Sequence, residues 1–429
     1  MRRRVVITGM GVITPLGHSV AELFASQIEG RTAIGPITHF DARTFPTTFA
    51  SEVKGFDLAK FIPDADRYRN CGVNTHFALA AGKAALAEAG LLEVKGDRSR
   101  MGVYLGSGEG KEDFEALTTS TAIATAPGER TTNIRQATGL LYQRLNGPQE
   151  AEQEMFVPSG YLANEFALDG PFASCQTACA ASSQAIGEAT EMIRSGEADV
   201  MLAGGSHSMI TPLGITGFNR LTALSQRNDS PKTASRPFDL TRDGFVIGEG
   251  SGLVVLEELE SAKARGANII AEVTGYGSTA DAYRMTDPHP EGKGAIRAMA
   301  EALADAGVAP TDIGYINAHG TSTQANDSAE TAGIKVVFGE YAYKVPVSSS
   351  KSMLGHLIAA AGVVELVITV MALRCGVVPP TINYETPDPA CDLDYVPNVA
   401  RESRFRHALS NSFGFGGQNI ALVLSAFRD

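Results

Sequence analysis

Apolar and polar positions follow two different periodicities along the chain, and the two alternate. Runs rich in β-branched and apolar residues predict strands at residues 4–8, 101–106 and 199–205. Stretches with helical spacing predict helices at residues 78–92 and 180–194. Such alternation is typical of an α/β protein with a mostly parallel sheet covered by helices.

The pattern of the first half recurs in the second. Residues 85–91 (ALAEAGL) lead to a strand at 101–108 (MGVYLGSG), as residues 302–308 (ALADAGV) lead to one at 313–320 (IGYINAHG). Glycine-rich turns also run into apolar strands in both halves, at residues 248–257 and 414–424. Because two matched segments occur in the same order, we expect a duplicated α/β unit.

The second copy begins with a predicted strand at residues 270–274. We therefore predict an N-terminal half at 1–267, with the candidate nucleophile, and a C-terminal half at 268–429, with two candidate histidines. Residues 123–153 are polar, and we interpret them as a partly helical insertion that covers a dimer interface or a pocket entrance.

Composition narrows the class of protein. The 429 residues are 44% hydrophobic and 20% charged, as in folded globular proteins, and the net charge of −12 argues against a nucleic-acid partner. No apolar run approaches the roughly 20 residues of a membrane span. Five cysteines without a secretion signal indicate reduced thiols. We expect a cytoplasmic protein with neither a membrane nor a nucleic-acid partner.

Cys179 is the candidate nucleophile. It lies in residues 175–183 (CQTACAASS), directly before a predicted helix. A lone cysteine is more often a small buried residue, but small neighbours let a substrate approach the backbone. The helix N-terminus favours thiolate over thiol, so we expect an activated sulfur.

Two histidines lie far downstream in glycine-flanked motifs. His319 follows a predicted strand in residues 317–323 (NAHGTST), and His356 ends residues 351–356 (KSMLGH) before a long apolar helix. Imidazoles can move protons and stabilise developing negative charge. Lys351 stands among small residues, where a surface lysine is not expected. These residues predict an acyl-transfer enzyme of the Cys–His–His kind.

Two glycine-rich segments and the closely spaced cysteines do not indicate a cofactor or metal site. Neither residues 413–419 (FGFGGQN) nor residues 106–110 (GSGEG) complete a nucleotide-binding pattern. A zinc site usually needs a second closely spaced Cys/His pair, and the sequence has none to accompany Cys175 and Cys179, so we expect no metal. The remaining histidines are interpreted as structural or exposed; they are His18, His39, His76, His207, His289 and His407.

Together these motifs resemble the β-ketoacyl-[acyl-carrier-protein] synthases, most closely the ketosynthase II type. The similarity runs nearly end to end, from residues 5–11 (VVITGMG) to residues 411–417 (NSFGFGG). It implies a thiolase-like fold, with duplicated halves stacked in α-β-α-β-α layers, and a homodimer that uses an acyl carrier protein as its partner. It implies decarboxylative condensation of a Cys-bound acyl group with malonyl-carrier, which lengthens the chain by two carbons without a metal or a cofactor.

The resemblance also assigns roles to residues. Cys179 would hold the acyl group, and His319 and His356 would promote decarboxylation and stabilise the enolate. Lys351 and Glu365 would order the histidines. Backbone N–H groups of Cys179 and Phe415 would form the oxyanion hole, and Phe415 would gate access. Thr321 and Thr323 would hold the phosphopantetheine arm, and Phe218 would bind the substrate. Asp327 would be a structural acid.

Three features depart from the family pattern. Glu109 stands where an aliphatic residue usually ends the acyl pocket, and it either faces that pocket or lies at the dimer interface or in solvent. The carrier-docking region is less basic than usual, with Arg67 and Arg69 beside Asp64 and Asp66. The insertion at 123–153 is also longer than usual.

Other hypotheses share the fold. A thiolase would carry a second catalytic cysteine in the last loop, and residues 414–419 contain none. A chain-length-factor-like partner would lack the nucleophile, whereas Cys179 and both histidines are present. A specialised polyketide or unusual-lipid ketosynthase stays open as an alternative to fatty acid elongation.

Overall fold

The computed structural model describes residues 2–93, 96–108, 110 and 113–428. The strands, in chain order, are β1 Val5–Ile13, β2 Ile34–Pro36, β3 Phe49–Ser51, β4 Met101–Ser107, β5 Phe172–Cys175, β6 Val200–His207, β7 Gly250–Glu258, β8 Ala271–Ala280, β9 Ile313–Asn317, β10 Val347–Ser348, β11 Val377–Val378, β12 Arg401–Glu402, β13 His407–Phe413 and β14 Gln418–Ser425.

The helices alternate with these strands as the periodicity predicts. They are α1 Val20–Ile28, α2 Val73–Glu88, α3 Phe114–Ile123, α4 Ile134–Arg144, α5 Gly147–Ala151, α6 Val157–Glu165, α7 Ala181–Ser195, α8 Pro212–Arg220, α9 Leu259–Ala264, α10 Lys293–Ala306, α11 Gln324–Phe338, α12 Lys351–Leu354 and α13 Ala361–Cys375. The insertion at 123–153 is partly helical, as expected, because it contains α4 and α5.

The two halves repeat one strand order. The first half runs β5-β4-β6-β7-β1 and the second runs β10-β9-β13-β14-β8, so each strand has a counterpart. The halves join through two residue pairs between β1 and β8, Val6 with Glu272 and Ile7 with Ala271. This repetition is the duplication predicted from the sequence. The division at 267/268 itself stays a prediction.

The expectation of a mostly parallel sheet is wrong. In the described strands of the large sheet, the parallel neighbours are β4/β5, β4/β6, β9/β10 and β9/β13. The antiparallel neighbours are β1/β7, β1/β8, β6/β7, β8/β14 and β13/β14. Periodicity identifies a strand but not its direction, which depends on where the chain returns.

Helices cover both faces of each half of the large sheet and give five layers. Helix α2 packs on the outer face of the first half, on β1 and β7, and α10 packs on the outer face of the second half, on β8 and β14. Helices α7 and α13 lie between the two halves of the sheet, and their buried side chains join strands of both halves in one hydrophobic core. This inner layer begins at the two segments that carry Cys179 and His356.

One apolar segment corrects an expectation about membrane spans. Ile358–Cys375 is long and apolar enough to span a membrane by length and composition, with a mean hydropathy of 2.0. However, 83% of it is buried inside the protein, and the core helix of a globular protein passes the same test. The segment is the central packing helix of the fold.

Candidate active site

Cys179 lies in a short 3-10 turn, residues 178–180, that leads into α7. The preceding residue, Ala178, has φ of 48°, a left-handed conformation that alanine rarely adopts and that tends to occur at functional sites. Gly414 lies against this turn, where an added Cβ would be 2.8 Å from the Thr177 carbonyl oxygen. Only glycine therefore allows residues 413–417 to approach the cysteine so closely.

The fold brings both predicted histidines to this cysteine. His319 follows β9, and His356 follows α12, with its backbone held by hydrogen bonds to Val246 and Gly248. The Cys179 Sγ and one ring nitrogen of each histidine lie within 4.8 Å of one another. All three residues are buried, and the two imidazole rings meet edge to face at 5.4 Å.

Both histidines are neutral, and each carries its proton on Nε2. Burial lowers the pKa of His319 and of His356 well below the ordinary value, and the Lys351 charge lowers both further. The Ile358 N–H donates to His356 Nδ1 at 3.3 Å, and Lys351 Nζ lies 3.3 Å from His319 Nδ1. Since an ammonium and an amide can only donate, each Nδ1 accepts and each Nε2 carries the proton.

Lys351 and Glu365 support the His319 side of the site. Both are buried, and Lys351 Nζ donates to Glu365 Oε1 and, at 2.8 Å, to the His319 carbonyl oxygen. Burial raises the pKa of Glu365, while the Lys351 charge opposes that shift. Breaking a buried ion pair by removing one partner leaves an uncompensated charge, so the pair fixes this geometry.

Glu330 is a site residue that the sequence analysis missed. It is buried on α11, and its carboxylate accepts the backbone N–H groups of His319 and Gly320, both at 2.8 Å. Burial raises its pKa to about 6. Its spacing of three residues from Asp327 puts both acids on one helix face, which is the signal that could have found it.

The expectation of an activated thiolate at Cys179 is wrong for this structure. Burial raises the pKa of Cys179 to about 11, although a hydrogen bond from the Phe415 N–H and the Lys351 charge both lower it. Loss of water around the sulfur outweighs these favourable terms. The thiol is therefore protonated at neutral pH until a substrate or a movement changes its surroundings.

This pKa predicts the pH profile of Cys179 alkylation. Because the pKa is raised, the thiolate fraction grows about tenfold per pH unit throughout the range below it. We expect the iodoacetamide rate at Cys179 to rise about 1000-fold from pH 6 to pH 9 without a plateau. Peptide mass spectrometry would separate Cys179 from the exposed Cys375. A plateau below pH 8 would contradict a thiol that is protonated at rest.

Some of the remaining predicted site residues line a cavity at Cys179, and others do not. A cavity of about 60 Å³ is lined by Thr321, Thr323 and Phe415 together with the cysteine and both histidines. The hydroxyls of Thr321 and Thr323 lie 2.9 Å apart. Phe218 does not line this cavity but packs in the hydrophobic cluster that contains Cys179.

Asp327 lies outside this cavity. Asp327 is buried and accepts the backbone N–H groups of Phe238 and Ser322, so it holds the loop that precedes α11. Glu109 lies outside the described residues, and its two interpretations stay open.

A thiol and two imidazoles are also a ligand set that zinc can bind. In this arrangement the two Nε2 atoms carry protons, because each Nδ1 already accepts a hydrogen bond. A metal needs a nitrogen lone pair, so the donor set does not fit an ion at the cysteine. The arrangement suits stabilisation of an anion.

Comparison with known proteins identifies the class. Residues 2–262 match the family described as "Beta-ketoacyl synthase, N-terminal domain", and residues 270–385 match "Beta-ketoacyl synthase, C-terminal domain". The chain is 45% identical to 3-oxoacyl-[acyl-carrier-protein] synthase 2 of Coxiella burnetii, with 100% of both chains covered.

Solved structures agree with this match. A beta-ketoacyl synthase from Burkholderia phymatum superposes with a TM-score of 0.88 at 35% identity, over 99% of this chain and all of the other. A ketosynthase solved with its type II polyketide acyl carrier protein and bound to a hexaketide gives 0.86 at 35% identity, with both chains fully covered.

The fold and the matches define a condensing enzyme with the thiolase-like architecture, as the resemblance implied. The chain belongs to the beta-ketoacyl synthase family. It is an acyltransferase that lengthens acyl chains by Claisen condensation. The thiolase and the non-catalytic alternatives are thereby set aside.

Proposed function

We propose that the chain is a β-ketoacyl-[acyl-carrier-protein] synthase in which Cys179, His319 and His356 are the catalytic residues. The observation that supports this proposal is the meeting of one thiol and two imidazole nitrogens within 4.8 Å, in the wall of a cavity. Three such groups from three distant segments have no structural role that requires them to meet.

The reaction proceeds in two steps. In the first, Cys179 Sγ forms a bond to the acyl carbonyl carbon, the bond to the carrier's thiol breaks, and the carrier leaves as a free thiol. The Phe415 N–H, which already contacts the cysteine sulfur, and the Cys179 N–H stabilise the oxyanion. The raised pKa of Cys179 means that the thiol loses its proton only during this step.

In the second step, malonyl-carrier loses carbon dioxide, and the enolate carbon attacks the Cys179 thioester. A carbon–carbon bond forms, the carbon–sulfur bond breaks, and the released Cys179 thiolate takes a proton from water. The product is a β-ketoacyl-carrier that is two carbons longer. His319 and His356 donate Nε2–H bonds to the enolate oxygen, which suits two neutral, buried imidazoles.

Other residues position these groups. Lys351 and Glu365 orient His319 through the contacts described above. Thr321 and Thr323 line the approach to the cysteine and would hold the phosphopantetheine arm. Phe218 packs on Phe245, which in turn packs on His356, so it would shape the acyl side of the site. Asp327 would act as the structural acid.

We also propose that the enzyme is a cytoplasmic homodimer. Within each chain, the N-terminal half would end at residue 267 and the C-terminal half would begin at residue 268. Strand β5 forms one end of the sheet among the described strands, and Phe172 on it is half exposed. Exposed apolar residues gather in the preceding segment, including Ile134, Tyr142 and Phe156. Light scattering should therefore give twice the chain mass of 45.1 kDa.

The direct test is condensation by the unaltered chain. We expect the enzyme to convert an acyl-carrier and malonyl-carrier into a β-ketoacyl-carrier, with one carbon dioxide released per product, and with neither a metal nor a redox cofactor required. Mass spectrometry of the carrier measures the product. A chain that forms acyl-Cys179 yet never yields a lengthened product would contradict the proposed reaction.

A further inference from the structure

A second cavity lies beside the hydrophobic cluster around Cys179, with which it shares Phe40 and Ile210. It has a volume of about 580 Å³ and is called here the distal cavity. Its wall combines apolar residues such as Phe40 and Ile210 with polar residues such as His39, Ser208 and Glu249. Because an acyl pocket for a plain alkyl chain needs only apolar walls, the polar residues require an explanation.

The distal cavity adjoins the hydrophobic cluster that contains Cys179. Cys179, Ile210 and Phe245 belong to one hydrophobic cluster, and Phe40 packs against it. Ile210 and Phe40 also line the distal cavity. These shared side chains are the layer between the cysteine's apolar surroundings and the cavity. An acyl chain on Cys179 that displaced these side chains would reach the distal cavity.

Glu249 makes the polar wall an acceptor of hydrogen bonds. Its buried carboxylate receives the Val53 N–H and His39 Nε2 on Oε1, each at 3.0 Å. The Ser208 hydroxyl donates to the other oxygen at 2.6 Å. Because Ser208 uses its proton on Glu249, its oxygen can offer only lone pairs to the cavity. Asp113 and Glu115 add carboxylates to the same wall.

We propose that the distal cavity holds the far end of the acyl chain and selects chains that carry a hydrogen-bond donor there. The donor is a hydroxyl or an amine, and it would bind Ser208 and Glu249. The inference rests on the proposed function, because it needs an acyl group on Cys179. A methyl terminus would bury apolar surface against a carboxylate and return no hydrogen bond. A site built for a polar group rejects the analogue that lacks it.

The test compares acyl-carriers of equal length that differ only at the chain end. Methyl-, methoxy-, hydroxyl- and amine-terminated chains of 4 to 12 carbons would be supplied, and acyl-Cys179 formation would be followed by intact mass. At the length that reaches the cavity, we expect the hydroxyl or the amine to react about tenfold faster than the methyl and methoxy chains. The methoxy group controls for polarity without a donor.

Two variants assign the preference to the wall. Glu249→Gln presents an amide in place of the carboxylate, and Ser208→Val removes the hydroxyl and shields the carboxylate, so either should reduce the tenfold ratio to about one. Glu22→Gln neutralises an exposed acid in a different cavity and should keep the ratio. Near-ultraviolet circular dichroism would verify folding, and either variant alone suffices for the comparison.

The outcomes are distinct. Equal rates for all four chain ends at every length, or a donor preference that survives both wall variants, would overturn the proposal and leave the condensing activity intact. Absence of acyl-Cys179 with every chain, including the methyl-terminated ones, would instead overturn the assignment of Cys179 itself.

Discussion

Replacing Cys179 with serine should abolish the acyl-enzyme, with a loss of at least about 10⁴-fold in acyl transfer. Serine fits the turn before α7, so the fold should survive. A serine hydroxyl, however, needs a base to become a nucleophile, and both nearby imidazoles present Nε2–H donors instead. Intact-mass analysis after incubation with acyl-carrier measures the effect.

Cys175 provides the matched control for this variant. It lies four residues earlier, its thiol donates to the Ala181 carbonyl oxygen, and burial raises its pKa to about 12. Cys175→Ser should still be acylated at Cys179. A Cys179→Ala protein that still gains the acyl mass would show that another residue is the nucleophile.

Local patterns were sufficient to predict much of the fold. Strand β4 begins at the predicted residue and ends one residue later than predicted, and α7 is displaced by one residue. Helix α2, in contrast, begins five residues before the predicted start, because its first turn is buried by contacts that spacing alone does not show. The sequence also did not predict that β7 and β14 are antiparallel to their neighbours. Strand direction depends on pairing between distant segments, which local spacing does not show.

Site residues could be predicted from the sequence only where the reactive side chain lies in a recognisable local motif. Cys179, His319 and His356 each lie at the end of a strand or the start of a helix among small residues, so their sequence context was informative. Glu330 had no such context, because its role consists of accepting N–H groups from a loop ten residues earlier. The thiol's raised pKa arises from burial by segments of both halves, and helix position alone predicted the wrong direction.

The same contrast applies to the polar wall of the distal cavity. His39, Ser208 and Glu249 are distant in sequence, and no motif joins them; only the fold places His39 and Ser208 on one carboxylate. A buried carboxylate with several donors is a costly feature to maintain. Its position beside the cluster around Cys179 is the observation on which the proposed preference for donor-bearing chains rests.

Replacing either His319 or His356 with alanine should separate the two steps of the reaction. We expect acyl transfer to Cys179 to persist within about tenfold, because the Phe415 N–H and the Lys351 charge that act on the sulfur remain. Condensation should fall by at least about 100-fold, because each variant removes one Nε2–H donor from the enolate. Single-turnover mass spectrometry would follow acyl-Cys179 and the lengthened product in the same sample.

His18→Ala is the matched control for these two variants. His18 lies outside the cavity at Cys179 and packs edge to face on Phe56, so its loss should leave both steps unchanged. If both active-site variants keep their thermal unfolding midpoint yet lose acyl transfer completely, the imidazoles take part in the first step, and the proposed division between the steps is wrong. If condensation survives in both, the two Nε2–H groups do not stabilise the enolate, and the close approach of the rings to Cys179 would need another explanation.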